Sequence, residues 1–303
     1  MWYNRKSKKE NDMKKVVILG CENSHADSFL DFIYQNPKYN NVQVVGVYSD
    51  EQEPCVRLHE KYGVDIMQSY DEAVGKVDGV IVTARHGENH YKYAKPYIAS
   101  GVPMFIDKPI TIDEAGAVRF IQELAENNVK VSGGSLCKHD PFVQKLKNDH
   151  ENEVEGKTLG GFVRAPLQPK SVYGGFYFYA QHLVEIVCEI FGRTPQAVRA
   201  EESENKLDVW FFYPTFTVHG LYVNDSYAYY ASRYAEGTVE TDNIFTKNFA
   251  ECSEKEFADY YELLFDGEQK ISYADFIAPV FIMNAIMRAV ASGNKEEIAY
   301  AKI

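Results

Sequence analysis

Val102-Pro103-Met104-Phe105-Ile106-Asp107-Lys108-Pro109-Ile110-Thr111 is the stretch on which the fold turns. Its apolar first half reads as a buried parallel strand. A lysine at the carboxyl end of such a strand points into the crevice where open α/β sheets bind their ligands. Pro109 fixes the backbone directly after it and removes one amide donor. The residue before a proline is biased away from helix, so Lys108 is presented from extended chain. Thr111 and Glu114 have the spacing of a capping box that would start the next helix. By itself the segment fits a surface lysine before an ordinary turn equally well.

Working outward, the chain alternates apolar strands with amphipathic helices. Val16-Val17-Ile18-Leu19-Gly20 reads as a first strand, Ala26 to Tyr34 as a helix, and Val42 to Tyr48 as a second strand. Glu53 to Tyr62 reads as a helix stopped by Gly63. Asp65 to Gln68 is a weak third strand and Asp78 to Thr83 a fourth, followed by a helix through Ala99. After Lys108 come a helix from Ile112 to Asn127 and a strand at Val129-Lys130-Val131. This alternation predicts βαβ units, right-handed crossovers and a Rossmann-like, doubly wound parallel sheet. We assign residues 13–137 to that domain and residues 1–12, rich in Lys, Asn and Glu, to a disordered leader.

The loop after the first strand runs Gly20-Cys21-Glu22-Asn23-Ser24-His25. A dinucleotide fingerprint would want glycines at 20, 22 and 25, and Gly20 alone is present. A carboxylate at Glu22 would repel phosphate unless it turned away. Ser24 is a candidate N-cap, paired with Asp27, and the first helical turn still offers free amides to an anion. At the end of the second strand Asp50, Glu51 or Ser49 is placed to meet an adenosine ribose. An acidic residue there favours NAD over NADP, and no arginine follows before Arg57.

The order of motifs resembles the Gfo/Idh/MocA oxidoreductases, the family of glucose–fructose oxidoreductase and inositol dehydrogenase. Val77-Asp78-Gly79-Val80-Ile81-Val82-Thr83 followed by His90 resembles one family strand and loop. Ala99-Ser100-Gly101-Val102-Pro103 through Asp107-Lys108-Pro109 resembles its E-K-P corner. Gly133-Gly134 with Asp140-Pro141, then Gly174-Gly175 through His182 and Glu185, resemble the passage into its second domain. Ser272-Tyr273-Ala274-Asp275-Phe276 and Pro279 to Ala285 resemble its closing helices. The likeness spans residues 13 to 303.

The resemblance implies hydride transfer between NAD, or NADP, and a sugar, cyclitol or related polyol. It implies Lys108 and His182 as catalytic residues, His182 in the role of acid/base. It implies substrate contacts from Lys138, Tyr179, His182 and Glu185. It implies cofactor contacts from Gly20, Asn23, Ser24, His25, Ser49, Asp50, Thr83, Ala84, Arg85, His90, Asp107 and Lys108. Two positions depart from the pattern: Phe178 stands where the family has an aspartate, and Ala180 where it has a glycine. Neutral imidazole suits a base near neutral pH, and a lysine beside a developing alkoxide stabilises its charge. Without Lys108, His182 reads better as a core histidine on an apolar helix, and Lys138 is also readable as a merely solvated lysine. Two alternatives stay open: a non-catalytic nucleotide- or sugar-binding protein, and a lyase- or glycosidase-type member that uses bound NAD.

Residues 138–303 form the expected second domain, with a helix over 139–150 and a strand from Gly156 to Ala165. Val209 to Tyr213, Phe216 to Val223 and Tyr227 to Tyr234 read as antiparallel hairpins turning at Asn224-Asp225 and Glu236-Gly237. The fold class is therefore α/β plus α+β, with an open antiparallel sheet and helices in the second part. That sheet reads as too apolar on both faces for a monomer, which predicts a homodimer or homotetramer. A formal net charge of −12 disfavours nucleic acid and anionic membranes as partners. Five cysteines without C-x-x-C suggest a reducing, cytoplasmic setting and no metal site. No uninterrupted apolar run reaches the ~18 residues of a membrane span.

Overall fold

The computed structural model describes residues 13–245 and 248–302. The expected leader, 1–12, lies outside the described residues. Five strands, β1 (Lys14–Leu19), β2 (Val42–Tyr48), β3 (Gly79–Val82), β4 (Met104–Asp107) and β5 (Val131–Gly134), form one sheet in the order β2-β1-β3-β4-β5. All neighbours in it are parallel. Helices α1 (Ser24–Gln35), α2 (Gln52–Tyr62), α3 (Glu88–Ile98) and α4 (Glu114–Glu126) make the crossovers. Every residue of β3 and β4 is buried, as expected of strands covered on both faces. Strand order reverses between β1 and β3, so a crevice opens at their carboxyl ends, next to the end of β4.

Local chemistry moved several expected boundaries. The weak strand at Asp65–Gln68 is a single bridge, Val47 to Ile66. Its continuation is lost because Glu72 accepts from the Gln68 backbone amide at 2.8 Å and Ser69 bonds Asp71. Asn23, not Ser24, caps α1, accepting from the His25 amide at 3.3 Å. Asp113 displaces Thr111 as the cap of α4, accepting from the Gly116 amide at 2.6 Å. An aspartate two residues closer to the helix outcompetes the threonine box. The last strand begins at Val131 and runs into Gly133 and Gly134, both at positive φ. A Cβ on Gly133 would lie 1.9 Å from the Ile106 carbonyl oxygen, so only glycine allows β4 and β5 to approach here.

After a short 3₁₀ turn, Leu136–His139, helix α5 (Pro141–Glu151) begins at its cap Asp140. The second sheet contains β6 (Thr158–Leu167), β7 (Ala197–Ser203), β8 (Lys206–Phe212), β9 (Thr217–Asn224), β10 (Tyr229–Ala235), β11 (Val239–Ile244) and β12 (Glu296–Glu297). Its order is β11-β10-β6-β9-β8-β7-β12. The expected hairpins β8/β9 and β10/β11 are present, but Asn224-Asp225 joins no hairpin. Instead β6 lies between β9 and β10, parallel to β9 and antiparallel to β10. The Asp225 amide donates to the Leu167 carbonyl, which carries the chain across β6. The sheet is therefore antiparallel except for this one pair.

One face of the second sheet is buried beneath α6 (Tyr177–Phe191) and α8 (Tyr273–Ser292). The other face is half-buried rather than fully apolar: Trp210 stacks on His219, which also meets Asp208 at 3.0 Å. By length and composition α8 could cross a membrane, but its Phe276, Val280, Met283, Ile286 and Ala289 are core residues here. The helix between this sheet and α8, α7 (Phe249–Leu264), returns to the first sheet. There Phe257 and Tyr260 join Phe29, Tyr39 and Phe105 in one aromatic cluster. Full burial of such a side chain contributes roughly 1.5–3 kcal/mol, so several of them fix α7 firmly. This docking brings Glu256 of α7 to the carboxyl end of β4.

Candidate active site

Lys108 leaves the end of β4 with its side chain only 5 % exposed. Its backbone amide donates to Asp107 Oδ1 at 2.7 Å, and the Lys108–Pro109 peptide is cis. Among the described residues Nζ has no hydrogen-bond or ion-pair partner. It stands 5.2 Å from the Phe178 ring centroid and 6.0 Å from that of Tyr179. Phe178, the departure from the family aspartate, thus gives the ammonium an aromatic face instead of a counter-ion. A buried, unpaired cation is costly, which makes this an ammonium poised for an anionic or polar ligand.

His182 sits on α6, 6 % exposed. Its Nδ1 lies 2.7 Å from Ser135 Oγ and 3.6 Å from Cys137 Sγ, while Nε2 has no partner among the described residues. If Nδ1 donates to Ser135, Nε2 keeps its lone pair for a ligand. Burial first, then Lys108 and His25, hold the imidazole well below its ordinary pKa. It is therefore neutral at pH 7.

Both residues line one cavity of ≈ 370 Å³ between the two sheets. Of the residues expected from sequence, it gathers Asn23, Ser24, His25, Arg85, Lys108, Tyr179 and His182. Burial pushes the Tyr179 hydroxyl up to about 12, so it remains a donor. Phe178, noted from sequence as a departure, also lines it, and the residues that sequence reasoning missed here are Leu136, Gln168, Ser171, Tyr173, Tyr229, Phe245 and Phe249. Tyr173 directly precedes the quoted Gly174-Gly175 motif, which was its available signal. The Arg85 guanidinium bonds the Tyr173 hydroxyl at 3.0 Å, and that hydroxyl reaches Glu51 at 3.3 Å, tying the two halves across the cavity mouth.

Several expected contacts lie elsewhere. Glu185 is buried in an ion pair with Arg193 at 2.8 Å and accepts from Gln181 at 3.1 Å, and it does not line this cavity. Lys138 bonds the Gly133 carbonyl and lines a separate cavity. His90 is wholly buried between the carbonyls of Ala84, at 2.8 Å, and Ile110, at 3.3 Å, and so braces two loops rather than meeting a ligand. Thr83 and Ala84 are also fully buried, Thr83 donating to the Gly20 carbonyl. Gly20 is needed for packing, since a Cβ there would lie 2.4 Å from the Ala84 backbone.

The loop turns its one carboxylate aside. Glu22 turns into the strand ends, where Ser49 Oγ donates to it at 2.6 Å and the Arg85 amide at 2.9 Å. Its charge is thereby directed away from the cavity, but Ser49 is consumed and buried. The amino end of α1 and the Arg85 side chain remain at the cavity, a donor set suited to phosphate. Asp50, at the end of β2, accepts from Tyr48 at 2.8 Å and pairs with Lys92 at 2.9 Å. The acidic residue for a ribose is there, yet it has a basic neighbour that sequence spacing did not reveal.

Behind Lys108, Asp107 is fully buried. Its Oδ2 accepts from Asn23 Nδ2 at 2.7 Å and lies 3.1 Å from His25 Nδ1. Burial alone would raise this carboxyl; His25 and Lys108 beside it outweigh burial and hold it below the usual carboxylate range. Glu256 Oε2 approaches the same His25 nitrogen at 3.7 Å. Burial and, next, the Asp107 charge push the Glu256 carboxyl well up. Nothing in the sequence pointed to Glu256.

Comparison with known proteins agrees with this architecture. A family model described as an oxidoreductase family with an NAD-binding Rossmann fold matches residues 14–135. Oxidoreductase P35 of Formosa agariphila is 22 % identical over 213 residues, 63 % of this chain and 64 % of that protein. Inositol 2-dehydrogenase of Acidiphilium cryptum is 37 % identical over 84 residues, 27 % of this chain and 24 % of that one. The chain thus spans less than two thirds of the length of these curated relatives. The crystal structure of scyllo-inositol dehydrogenase from Lactobacillus casei with bound NAD(H) and scyllo-inositol superposes with a TM-score of 0.81. That likeness covers 94 % of this chain and 99 % of the other at 14 % identity, and so speaks for the fold.

Proposed function

We propose that the chain, whose residues 14–135 match the NAD-binding Rossmann fold of an oxidoreductase family, is a Gfo/Idh/MocA-type dehydrogenase of a sugar, cyclitol or related polyol. The observation that carries this reading is the unpaired Lys108 ammonium sharing one cavity with the neutral His182 imidazole. NAD, when bound, supplies the hydride acceptor. Lys108 binds the reacting hydroxyl and stabilises the negative charge that grows on its oxygen. His182 Nε2 takes the hydroxyl proton, while Ser135 fixes the ring through Nδ1. The aromatic walls, Phe178, Tyr179 and Tyr229, exclude water and offer faces to a sugar ring. Incubation of the purified protein with NAD and a panel of cyclitols and aldoses tests this: absorbance of the reduced cofactor should rise with at least one polyol. Binding of NAD with no turnover on any of them, and no polyol-dependent quench, would favour the non-catalytic alternative.

Cofactor choice follows from Asp50. NAD(H) should bind more tightly than NADP(H), since a 2′-phosphate would meet that carboxylate. Lys92 moderates the preference, so Asp50→Ala should free a cation and narrow or reverse the gap. Calorimetric titration with both nucleotides decides it; tighter NADP(H) binding by the unaltered protein overturns the assignment.

We also place the protein among homodimers or homotetramers, in a reducing, cytoplasmic compartment. Leu159, Tyr234 and Val239 are exposed at the β6, β10 and β11 side of the second sheet, beside a shallow cavity walled by Phe162 and Tyr230. Apolar area of this kind usually marks an interface. Light scattering at micromolar concentration should give at least twice the chain mass of 34.6 kDa. A monomeric mass counts against assembly through this face.

A further inference from the structure

We propose that His25, Asp107 and Glu256 form a site for one divalent transition-metal ion of the zinc or manganese class. The three side chains come from α1, the end of β4 and α7, and each is at least nine-tenths buried. One nitrogen and two carboxylate oxygens lie within 4.8 Å of one another. The His25 nitrogen stands 3.1 Å from Asp107 Oδ2 and 3.7 Å from Glu256 Oε2. Ligands held about 2.0–2.2 Å from a common ion are separated by roughly 3–3.6 Å, so small side-chain movements complete the site.

The second observation is the lack of hydrogen bonds. Both Glu256 oxygens and His25 Nδ1 are buried with no hydrogen-bond partner among the described residues. A carboxylate in that position needs either a proton or a cation. Asp107 is already oriented for a ligand, because Asn23 holds Oδ2 and the Lys108 amide holds Oδ1. Imidazole with two carboxylates suits zinc, manganese or iron better than calcium or magnesium, which favour all-oxygen sites. Lys108 and Lys138 act on Glu256 in the opposite sense, so the two carboxylates must outweigh them. His25 also lines the cavity, which gives an ion a route in. An ion here would staple α7 to the first sheet, directly behind Lys108. This inference does not rest on the dehydrogenase reading, and its test reads metal content and stability rather than turnover.

The full chain is stripped with a chelator, dialysed against Zn²⁺ or Mn²⁺, desalted, and its metal measured by plasma emission. Unfolding temperature is recorded on the same samples, alongside Glu256→Gln and His25→Gln. The expected result is close to one equivalent of one metal in the unaltered protein, with less than about a tenth of that in either variant. Saturating metal should raise the unfolding temperature by about 5 °C in the unaltered protein alone. Should a variant fail to fold, the stoichiometry and thermal shift of the unaltered protein still decide. No bound metal and no shift overturns the site. Equal loading of the unaltered protein and Glu256→Gln also overturns it, as does a metal-free protein that Glu256→Gln stabilises, since a proton is then the partner of Glu256.

Discussion

Lys108→Ala should fold normally and lose turnover by about a hundredfold to a thousandfold, the effect of deleting one preorganised group that stabilises charge in a transition state. Nζ makes no ion pair or hydrogen bond among the described residues. Its contacts are the rings of Phe178 and Tyr179. Deleting it therefore breaks no salt bridge; it removes a charge that burial disfavours and, with it, one of the cations that keep the buried Asp107 ionised. Thermal stability should change little, while kcat falls. A structural lysine would show the reverse, a lower unfolding temperature with normal turnover per folded molecule. Both quantities, measured on one preparation, separate the two roles, and near-normal turnover of folded Lys108→Ala protein removes the catalytic assignment.

That lysine was legible in the sequence because two local rules converge on it: a buried strand must end in the ligand crevice, and a following proline holds the corner extended. The parallel sheet was legible for a similar reason, since unbroken apolar runs alternate with helical periodicity. What the sequence concealed depends on long-range contact. The insertion of β6 between β9 and β10 is invisible to hairpin rules, which join neighbours along the chain. Asp113 and Asn23 each won a cap from a candidate one or two residues away, a competition that spacing alone does not resolve. Glu185 lies three residues from His182 on one helix, yet it is taken up by Arg193 instead of lining the cavity. Lys92 meets Asp50 across 42 residues, and Glu256 meets Asp107 through a helix that crosses back from the far end of the chain. Those contacts set the charge beside Asp50 and behind Lys108, and they exist only in the folded chain.

His182→Ala should cost roughly a hundredfold to ten-thousandfold in turnover if its imidazole is the general base. Burial, Lys108 and His25 depress its pKa in the folded protein, so the base stays active below the ordinary histidine value of 6.5. The acidic limb of the pH–rate profile should therefore lie below pH 6.5, and should vanish in His182→Ala. In Lys108→Ala one depressing charge is gone, so whatever rate remains should show that limb at higher pH. The same depression has a stability consequence. Between the folded value and 6.5 the unfolded chain binds more protons than the native one, so stability is full above pH 6.5 and falls as pH drops. His90 and His139, the latter pushed down to about 3, act with the same sign, so the His182 share must be read as a difference between variant and unaltered protein. Loss of the imidazole also leaves the buried Ser135 hydroxyl without its 2.7 Å partner, at about 1–3 kcal/mol. Turnover must accordingly be normalised to folded protein by active-site or calorimetric titration. A packing histidine would give the stability loss and a flatter acid denaturation curve with turnover intact, and that outcome would leave Lys108 as the sole catalytic group of the cavity.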